Sequence, residues 1–273
     1  MSFAPPMEQA DLERHEAKYV ISPSIIPSLR EFLQKFCVAD PNAKGAIPEY
    51  TLTTLQLDSP DLALYRASRD DMINRFKLRV RVYDSVAGGP VFMEVKRKIK
   101  GVVVKSRCRI PSEFWGPQLF ERRKRQVPPF RSHKERSNFI EFVRLTEMIN
   151  ARPVMLIRYV RESYMGANDL YARVTIDRRL CYSPTRTWEL PPAERRWRSM
   201  DSSAAMGRPY SGAILELKTY RDTPLWMVEL TERFNLVRAG YCKYAQAVRL
   251  ESLYESAGDV DLSERCTYHL VGI

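Results

Sequence analysis

The chain has 273 residues and a hydrophobic fraction of 44%, which suits one large domain or two average ones, and we predict a single domain over residues 1–273. No stretch approaches the roughly 18 consecutive apolar residues of a membrane span, and the start MSFAPPMEQADLERHE lacks the basic and apolar segments of a secretory signal, so we expect a cytoplasmic protein. The 44 Lys and Arg residues against 33 Asp and Glu favour an anionic partner.

Cysteine and histidine are too sparse and scattered for their usual structural roles. The five cysteines form an odd set without a CxxC pair, and the three histidines lack helical ligand spacing. The sequence therefore implies neither a disulfide framework nor a zinc site, and we expect any metal to be hard and oxygen-bound. Phosphate-loop, dinucleotide and GxSxG motifs are also absent.

The first part of the chain predicts packing elements. We expect residues 1–12 to be a flexible terminus, and apolar residues at helical spacing predict an amphipathic helix over 22–36. The run TLTTLQL (51–57) is typical of a strand, and Ser59 with Pro60 predicts the start of a short helix.

Residues 75–109 hold eleven basic and only two acidic residues. In RFKLRVRVY (75–83) the basic residues alternate with apolar ones, so a strand would place every charge on one face. VFMEVKRKIK (91–100) and VVVKSRCRI (102–110) repeat this pattern, with Glu94 among the charges. Three adjacent strands with a shared basic face are therefore predicted.

The remaining chain alternates helical and strand patterns. Helical periodicity is expected within residues 111–150, followed by strands in VMLIRYVRESY (154–164) and LYARVTIDR (170–178). The Pro-, Ser- and Arg-rich range 183–211 predicts an exposed loop. The strand AILELKTY (213–220) then puts Glu216 and Lys218 on one face, and two helices are expected after it.

An isolated strand of this kind is usually half-exposed, with its charges in solvent. Several together would suffer cross-strand repulsion unless an anion lay on the charged face. A flat basic face would suit single-stranded nucleic acid, whereas a closed barrel would turn the charges into a lumen. Glu94 and Glu216 favour a metal–phosphate complex, because a carboxylate repels a nucleic-acid backbone unless it holds a cation.

An ordered set of motifs now resembles a known family, the VTC domain, which is the polyphosphate polymerase module of the vacuolar transporter chaperone family. This family belongs to the triphosphate tunnel metalloenzymes. The resemblance covers nearly the whole chain. Its motifs are RHEAKY (14–19), LQLDSPDLALY (55–65), KLRVRVY (77–83), FMEVKRK (92–98), VKSR (104–107), RYVRESY (158–164), ARVTID (172–177), ILELK (214–218) and YCKYAQAV (241–248).

The resemblance implies an α+β fold, an antiparallel β-barrel tunnel with helices packed outside, and transfer of the terminal phosphoryl group of a nucleoside triphosphate such as ATP to a polyphosphate chain. It implies Mn²⁺ or Mg²⁺ as cofactor and no DNA partner. Glu216 matches the metal-binding position. The phosphate-binding positions are Lys18, Arg79, Arg81, Lys96, Arg161, Arg173 and Lys243, with Lys98, Tyr159 and Lys218 as further substrate-binding candidates.

Departures from the family pattern keep two other functions open. Val95 and Lys98 stand where the family often has Arg and His, and Cys242 stands where Ser commonly precedes the last lysine. The related triphosphatases usually open with E-x-E-x-K, but this chain has only E-x-K, which favours the polymerase. The alternatives are a metal-dependent triphosphatase or nucleotide phosphohydrolase, and a non-catalytic binder of polyphosphate or nucleic acid.

Overall fold

The computed structural model describes residues 15–256 except 42, 44, 84–87, 101, 170, 191–194 and 221. The terminus predicted to be flexible, residues 1–12, lies outside this range. The described strands are β1 (His15–Ile21), β2 (Cys37–Ala39), β3 (Glu49–Asp58), β4 (Arg75–Tyr83), β5 (Val91–Ile99), β6 (Val102–Ile110), β7 (Arg152–Gly166), β8 (Arg173–Pro184), β9 (Arg198–Ser199) and β10 (Ala213–Thr219). The α-helices are α1 (Ile26–Leu33), α2 (Ala63–Arg69), α3 (His133–Met148), α4 (Ser203–Met206), α5 (Leu225–Arg233) and α6 (Lys243–Ser256).

The strands form a curled antiparallel sheet in the order β1-β10-β8-β7-β3-β4-β5-β6, with short β2 paired to β7 and β9 to β8. The first long strand, β1, pairs with the last, β10, which supports the one-domain proposal. The predicted fold, an α+β antiparallel β-barrel tunnel with helices packed on the outside, is confirmed, and the structure has it as a curled, tunnel-like half-barrel. Among the described residues no helix is both long and apolar enough to cross a membrane.

Helices cover the outer face of the sheet over both of its halves. Apolar residues of β3 to β6 form one core with α3, and those of β1, β8 and β10 form a second with α1 and α5. Helix α1 lies within the predicted range and buries the predicted stripe through Leu29, Phe32 and Leu33. Because side chains alternate along each strand, burying the apolar set outward turns the charged set inward.

Helix α6 packs on the inner face instead. Its residues Tyr244, Ala247 and Val248 form a third core with inward residues of the sheet, among them Leu52 and Ile157. The phenol of Tyr244 also donates a 2.7 Å hydrogen bond to Oδ2 of Asp58. Asp58 is fully buried and accepts further bonds from the backbone amides that begin α2. Part of the interior is therefore a packed apolar core, and only the remainder is polar.

Two segments differ from the sequence-based expectation. Within 111–150 the α-helix occupies only His133–Met148, preceded by two short 3₁₀ helices. The range 183–211 contains β9, α4 and the buried residues Leu190 and Met200, so it is not an exposed loop throughout. Trp188 anchors it, because its carbonyl accepts a 2.7 Å bond from the Trp115 indole and its ring stacks on Phe120. Pro and Ser richness predicted the irregular backbone but not its aromatic packing.

Candidate functional site

The inner face of β4, β5 and β6 carries the basic rows predicted from the sequence. Strand register places Lys77, Lys96 and Lys105 side by side, and the next inward row contains Arg79, Glu94 and Arg107. A carboxylate thus interrupts the second row at its centre. Cross-strand neighbours lie about 5 Å apart, so these charges interact strongly.

Glu94 forms ion pairs with three arginines, two on β4 and one on β6. Its carboxylate lies 2.6 Å from Nε of Arg79, 3.5 Å from Arg81 and 3.4 Å from Arg107. Burial alone would raise the pKa of Glu94, but the three guanidinium groups outweigh it and lower this pKa to about 2. Glu94 is therefore ionised and holds Arg79 and Arg81 in place.

A second cluster surrounds Glu216 on β10. This residue lies opposite Lys18 of β1 on one side and opposite Thr175 of β8 on the other. Its carboxylate lies 2.8 Å from Lys218, 3.9 Å from Lys18 and 3.8 Å from Arg161. Burial opposes ionisation, yet the three cations hold the pKa of Glu216 well below its usual range. Three predicted phosphate-binding cations thus converge on the predicted metal ligand.

Asp177 connects the sheet to α6. It is almost fully buried and binds Arg161 at 2.6 Å and Nζ of Lys243, the first residue of α6, at 2.6 Å. These cations override the effect of burial and lower the pKa of Asp177 to about 2. The ring of Tyr159 lies 4.6 Å from the Lys243 ammonium and 5.3 Å from the Arg161 guanidinium. Tyr159 therefore supports the two cations through its π face.

Glu16 links the two edge strands of the sheet. It projects from β1 and binds Lys105 of β6 at 2.6 Å and Lys96 of β5 at 3.1 Å. Burial raises the pKa of Glu16 but the two lysines dominate and lower it to about 2. Burial also lowers the pKa of Lys96, and despite the opposing effect of Glu16 it falls to about 8. The lumen is thus enclosed by side chains where the sheet edges meet.

Two predicted residues lie apart from these clusters. Lys98 is one-third exposed, with Nζ 3.8 Å from Asp71, and Arg173 is about half exposed, 3.1 Å from Asp40. Both are on the inward parity of their strands, Lys98 opposite Arg75 and Arg173 opposite Lys218. The structure therefore places them at the periphery of the site.

Two buried polar atoms of the lumen lack a hydrogen-bond partner among the described residues: Nε of Arg81 and Oγ1 of Thr175. Their residues are 8% and 5% exposed. Buried donors without partners are uncommon because each costs about 1–3 kcal/mol. Since Thr175 is the cross-strand neighbour of Glu216, one of these atoms lies beside the predicted metal ligand. Both are consistent with a lumen built around a polar ligand.

The carboxylates fit a hard divalent cation only in part. No group of three or more His, Cys, Asp or Glu residues suited to a metal occurs in the described chain. Glu216 and Glu16 lie on neighbouring strands, offset by two residues in the register of β1 and β10, and provide only oxygen donors. Mg²⁺ is commonly held by one or two carboxylates with substrate phosphates completing its shell. The residues therefore fit a metal that would be held by Glu216 together with a phosphate ligand, whose charge Lys18, Arg161 and Lys218 would help to neutralise.

Several residues of the site were not among the predicted candidates. Lys77, Lys105 and Arg107 share the inward parity of their strands, and that alternation was the available signal. Asp177 has the same signal in LYARVTIDR. Glu16 had only the E-x-K motif, because its contacts with β5 and β6 depend on how the sheet curls. Cys242 lies 3.0 Å from Nζ of Lys77, a contact that nothing in the sequence indicated.

Comparison with known families gives a direct result. The VTC domain profile matches residues 13–251, so the chain belongs to the VTC domain family, and the resemblance seen in the motifs is confirmed. A comparison with curated proteins finds no significant match.

The comparison with solved structures gives matches of low sequence identity. A Bacillus halodurans protein named as a candidate adenylate cyclase has a TM-score of 0.47 at 10% identity, covering 85% of this chain and 96% of its own. A Pyrococcus horikoshii OT3 protein has a TM-score of 0.42 at 12% identity, covering 87% and 99%. The Mimivirus capping enzyme triphosphatase has a TM-score of 0.31 at 10% identity, covering 83% and 89%.

Proposed function

We propose that the chain is a metal-dependent polyphosphate polymerase that transfers the terminal phosphoryl group of a nucleoside triphosphate, such as ATP, to a growing polyphosphate chain. The observation that carries this proposal is the cluster around Glu216, where Lys18, Arg161 and Lys218 surround one carboxylate. The Thr175 hydroxyl beside it has no hydrogen-bond partner among the described residues. Membership of the VTC domain family supports it. The nucleotide, polyphosphate and metal are parts of this proposal, as is the cytoplasmic location.

The proposed reaction needs positioning and charge stabilisation and no protein nucleophile. A terminal oxygen of polyphosphate attacks the γ-phosphorus of the nucleotide, the bond to the bridging oxygen breaks, and the nucleoside diphosphate leaves with the electron pair. Lys and Arg side chains of the lumen neutralise phosphate oxygens. A divalent cation on Glu216, either Mn²⁺ or Mg²⁺, would supply further charge neutralisation between phosphates.

The order of the clusters suggests separate tasks. Arg79, Arg81 and Arg107 share Glu94 and provide guanidinium groups suited to bidentate phosphate contacts. Lys243 is held by Asp177 at the start of α6, so a phosphate bound there also contacts the helix that fills the interior. Lys98 and Arg173 at the periphery would meet the anion as it enters.

Incubation of the purified protein with ATP and Mn²⁺ or Mg²⁺, followed by size separation of the products, tests the proposal. Long chains support the polymerase, orthophosphate alone supports the triphosphatase, and unchanged ATP supports the non-catalytic binder. Lys18→Met should abolish turnover, because Lys18 belongs to the Glu216 cluster. Lys35→Met, at an exposed position after α1, should not. Equal turnover of the two variants would contradict the assignment of the lumen.

A further inference from the structure

A second basic feature lies at one end of the sheet, outside the clusters described above. A cavity of about 280 Å³ forms where the β4–β5 connection and the end of β6 meet the segment before α3. Its lining residues include Pro90, Pro111, Pro129 and Phe130, and its cationic groups are Arg109 and Arg131. Proline fixes backbone φ, so three of the lining positions have restricted backbone freedom.

Arg109 differs from the other inward cations of its strand. Along β6, Lys105 binds Glu16 and Arg107 binds Glu94. Arg109 is the next inward residue along β6 and lies opposite Phe92. It is half-buried and has no ion pair or hydrogen bond with any described residue. The Arg131 side chain is exposed and also lacks an ion pair within the described chain. A partly desolvated guanidinium is most stable next to an anion.

Arg109, which lines the cavity, lies on the same inward face of β6 as the lumen cations Lys105 and Arg107. Every second residue of a strand advances about 7 Å, so Lys105 and Arg109 are separated by about 14 Å along the inward face. Between them Arg107 lies over the Phe92 ring at 3.8 Å and contacts the Tyr83 hydroxyl at 3.3 Å. The inward cations thus form a continuous row that leads from the Glu94 cluster to the cavity.

We infer that this cavity binds a distal segment of the polyphosphate chain, beyond the phosphates held in the lumen. The inference rests on the proposed function and adds to it a site that retains long chains. A linear polyanion fits because it carries a negative charge at every repeat and can extend from the lumen to the cavity. A triphosphate bound in the lumen is too short to reach the cavity as well. Glu113 also lines the cavity, so its net charge is only +1, which favours weak contact with a moving chain over tight binding of a single phosphate.

The test compares a short and a long anion on the same variants. Binding of inorganic tripolyphosphate and of long-chain polyphosphate is measured by titration calorimetry with wild type and with Arg109→Ala/Arg131→Ala. The matched control is Lys35→Ala/Arg233→Ala, which removes the same charge from an exposed position just after α1 and from the exposed last residue of α5, the two helices that cover the other part of the sheet.

We expect the cavity variant to lose about tenfold in affinity for the long chain, the effect of one or two charge-assisted contacts, with unchanged tripolyphosphate affinity. The control should match wild type for both ligands. Unchanged long-chain affinity in the cavity variant, or equal losses for both ligands, would overturn the inference. A wild-type protein that binds neither anion would instead overturn the proposed function itself, and the cavity assignment with it.

Discussion

Each lumen carboxylate described above is surrounded by more positive charge than it neutralises. Glu94 and Glu216 each contact three cations, and Asp177 contacts two. Burying such groups is expensive unless their pairing is close, and the excess cation charge remains available to an anion. The carboxylates therefore hold the predicted phosphate-binding residues in place while the ligand is absent.

The role of Glu216 is tested by Glu216→Gln, which keeps the size and one oxygen but loses the charge that a divalent cation requires. We expect metal-dependent turnover to fall by at least about 100-fold, since metal charge acts in the transition state. Tripolyphosphate binding without metal should persist, because Lys18, Arg161 and Lys218 remain. Exposed Glu232→Gln on α5 is the control for turnover. Loss of folding in Glu216→Gln would show that this residue acts only as a counter-ion.

Lys96 predicts a pH dependence of anion binding. Burial lowers the pKa of Lys96 to about 8, so its charge is lost as pH rises through this value. Tripolyphosphate affinity should therefore fall by about tenfold between pH 7 and 9.5, with proton uptake on binding above pH 8. Calorimetry in buffers of different ionisation enthalpy measures both effects. Tripolyphosphate itself also takes up protons in this pH range, so the proton uptake beyond that of the ligand is assigned to Lys96. Lys96→Arg stays protonated and should remove this additional uptake. If the additional uptake persists in Lys96→Arg, Lys96 is not its source.

At the level of elements, the lumen is enclosed because an edge strand contacts strands that are distant in the sheet order. Glu16 on β1 binds lysines of β5 and β6 at the other edge. No strand pairing between β1 and β6 occurs among the described residues. Side-chain ion pairs, and not backbone hydrogen bonds, therefore connect the two edges of the sheet.

Glu16→Gln should weaken this contact while leaving the outer cores intact. We expect amides of β1 and β6 to exchange faster by hydrogen–deuterium exchange, whereas those of central β3 and β7 should keep wild-type protection. A stability loss of about 1–3 kcal/mol is expected, since two lysines lose their counter-ion. Exposed Glu229→Gln on α5 is the matched control. Unchanged exchange at both edges would mean that the sheet stays curled without this contact.

For the whole molecule, the ion network determines the response to acid. Lumen cations outweigh burial and lower the pKa of Glu16, Glu94 and Asp177 to about 2. Unfolded carboxylates titrate near pH 4, so the folded form binds fewer protons below this value. The stabilisation is therefore complete above about pH 4.5 and is lost as pH falls towards 2.

Denaturant titrations from pH 2 to 7 should show a plateau followed by a steep decline below about pH 4.5. Asp177 alone contributes on the order of 2 kcal/mol at neutral pH. Asp177→Asn should lower the plateau and make the decline shallower, whereas exposed Glu232→Gln should change neither. A pH-independent stability over this range would contradict the low pKa values of the three carboxylates.

Much of the site was predictable because strand alternation is a local property. Arg79, Arg81, Lys96, Arg161 and Lys218 share their strand's inward parity, and the sheet brings this face together around buried carboxylates. Lys98 and Arg173 have the same parity but lie at the periphery. Parity shows which face of the strand a side chain lies on, but it does not show how deep in the lumen the side chain lies. The aromatic contacts around Trp188 were equally invisible, because they join segments far apart in the chain.

The sequence by itself predicted the long strands β3 to β8 and β10 and the face that carries each of their charges, since these follow from residue type and short-range periodicity, and its ordered motifs indicated the family. Only the tertiary structure decided which carboxylate neutralises which cation, that Glu16 joins both sheet edges, that Tyr244 brings α6 onto the inner face, and that Arg109 stays unpaired among the described residues. These outcomes depend on the curl of the sheet, which sums small twists over eight strands and brings together residues that local pattern cannot relate.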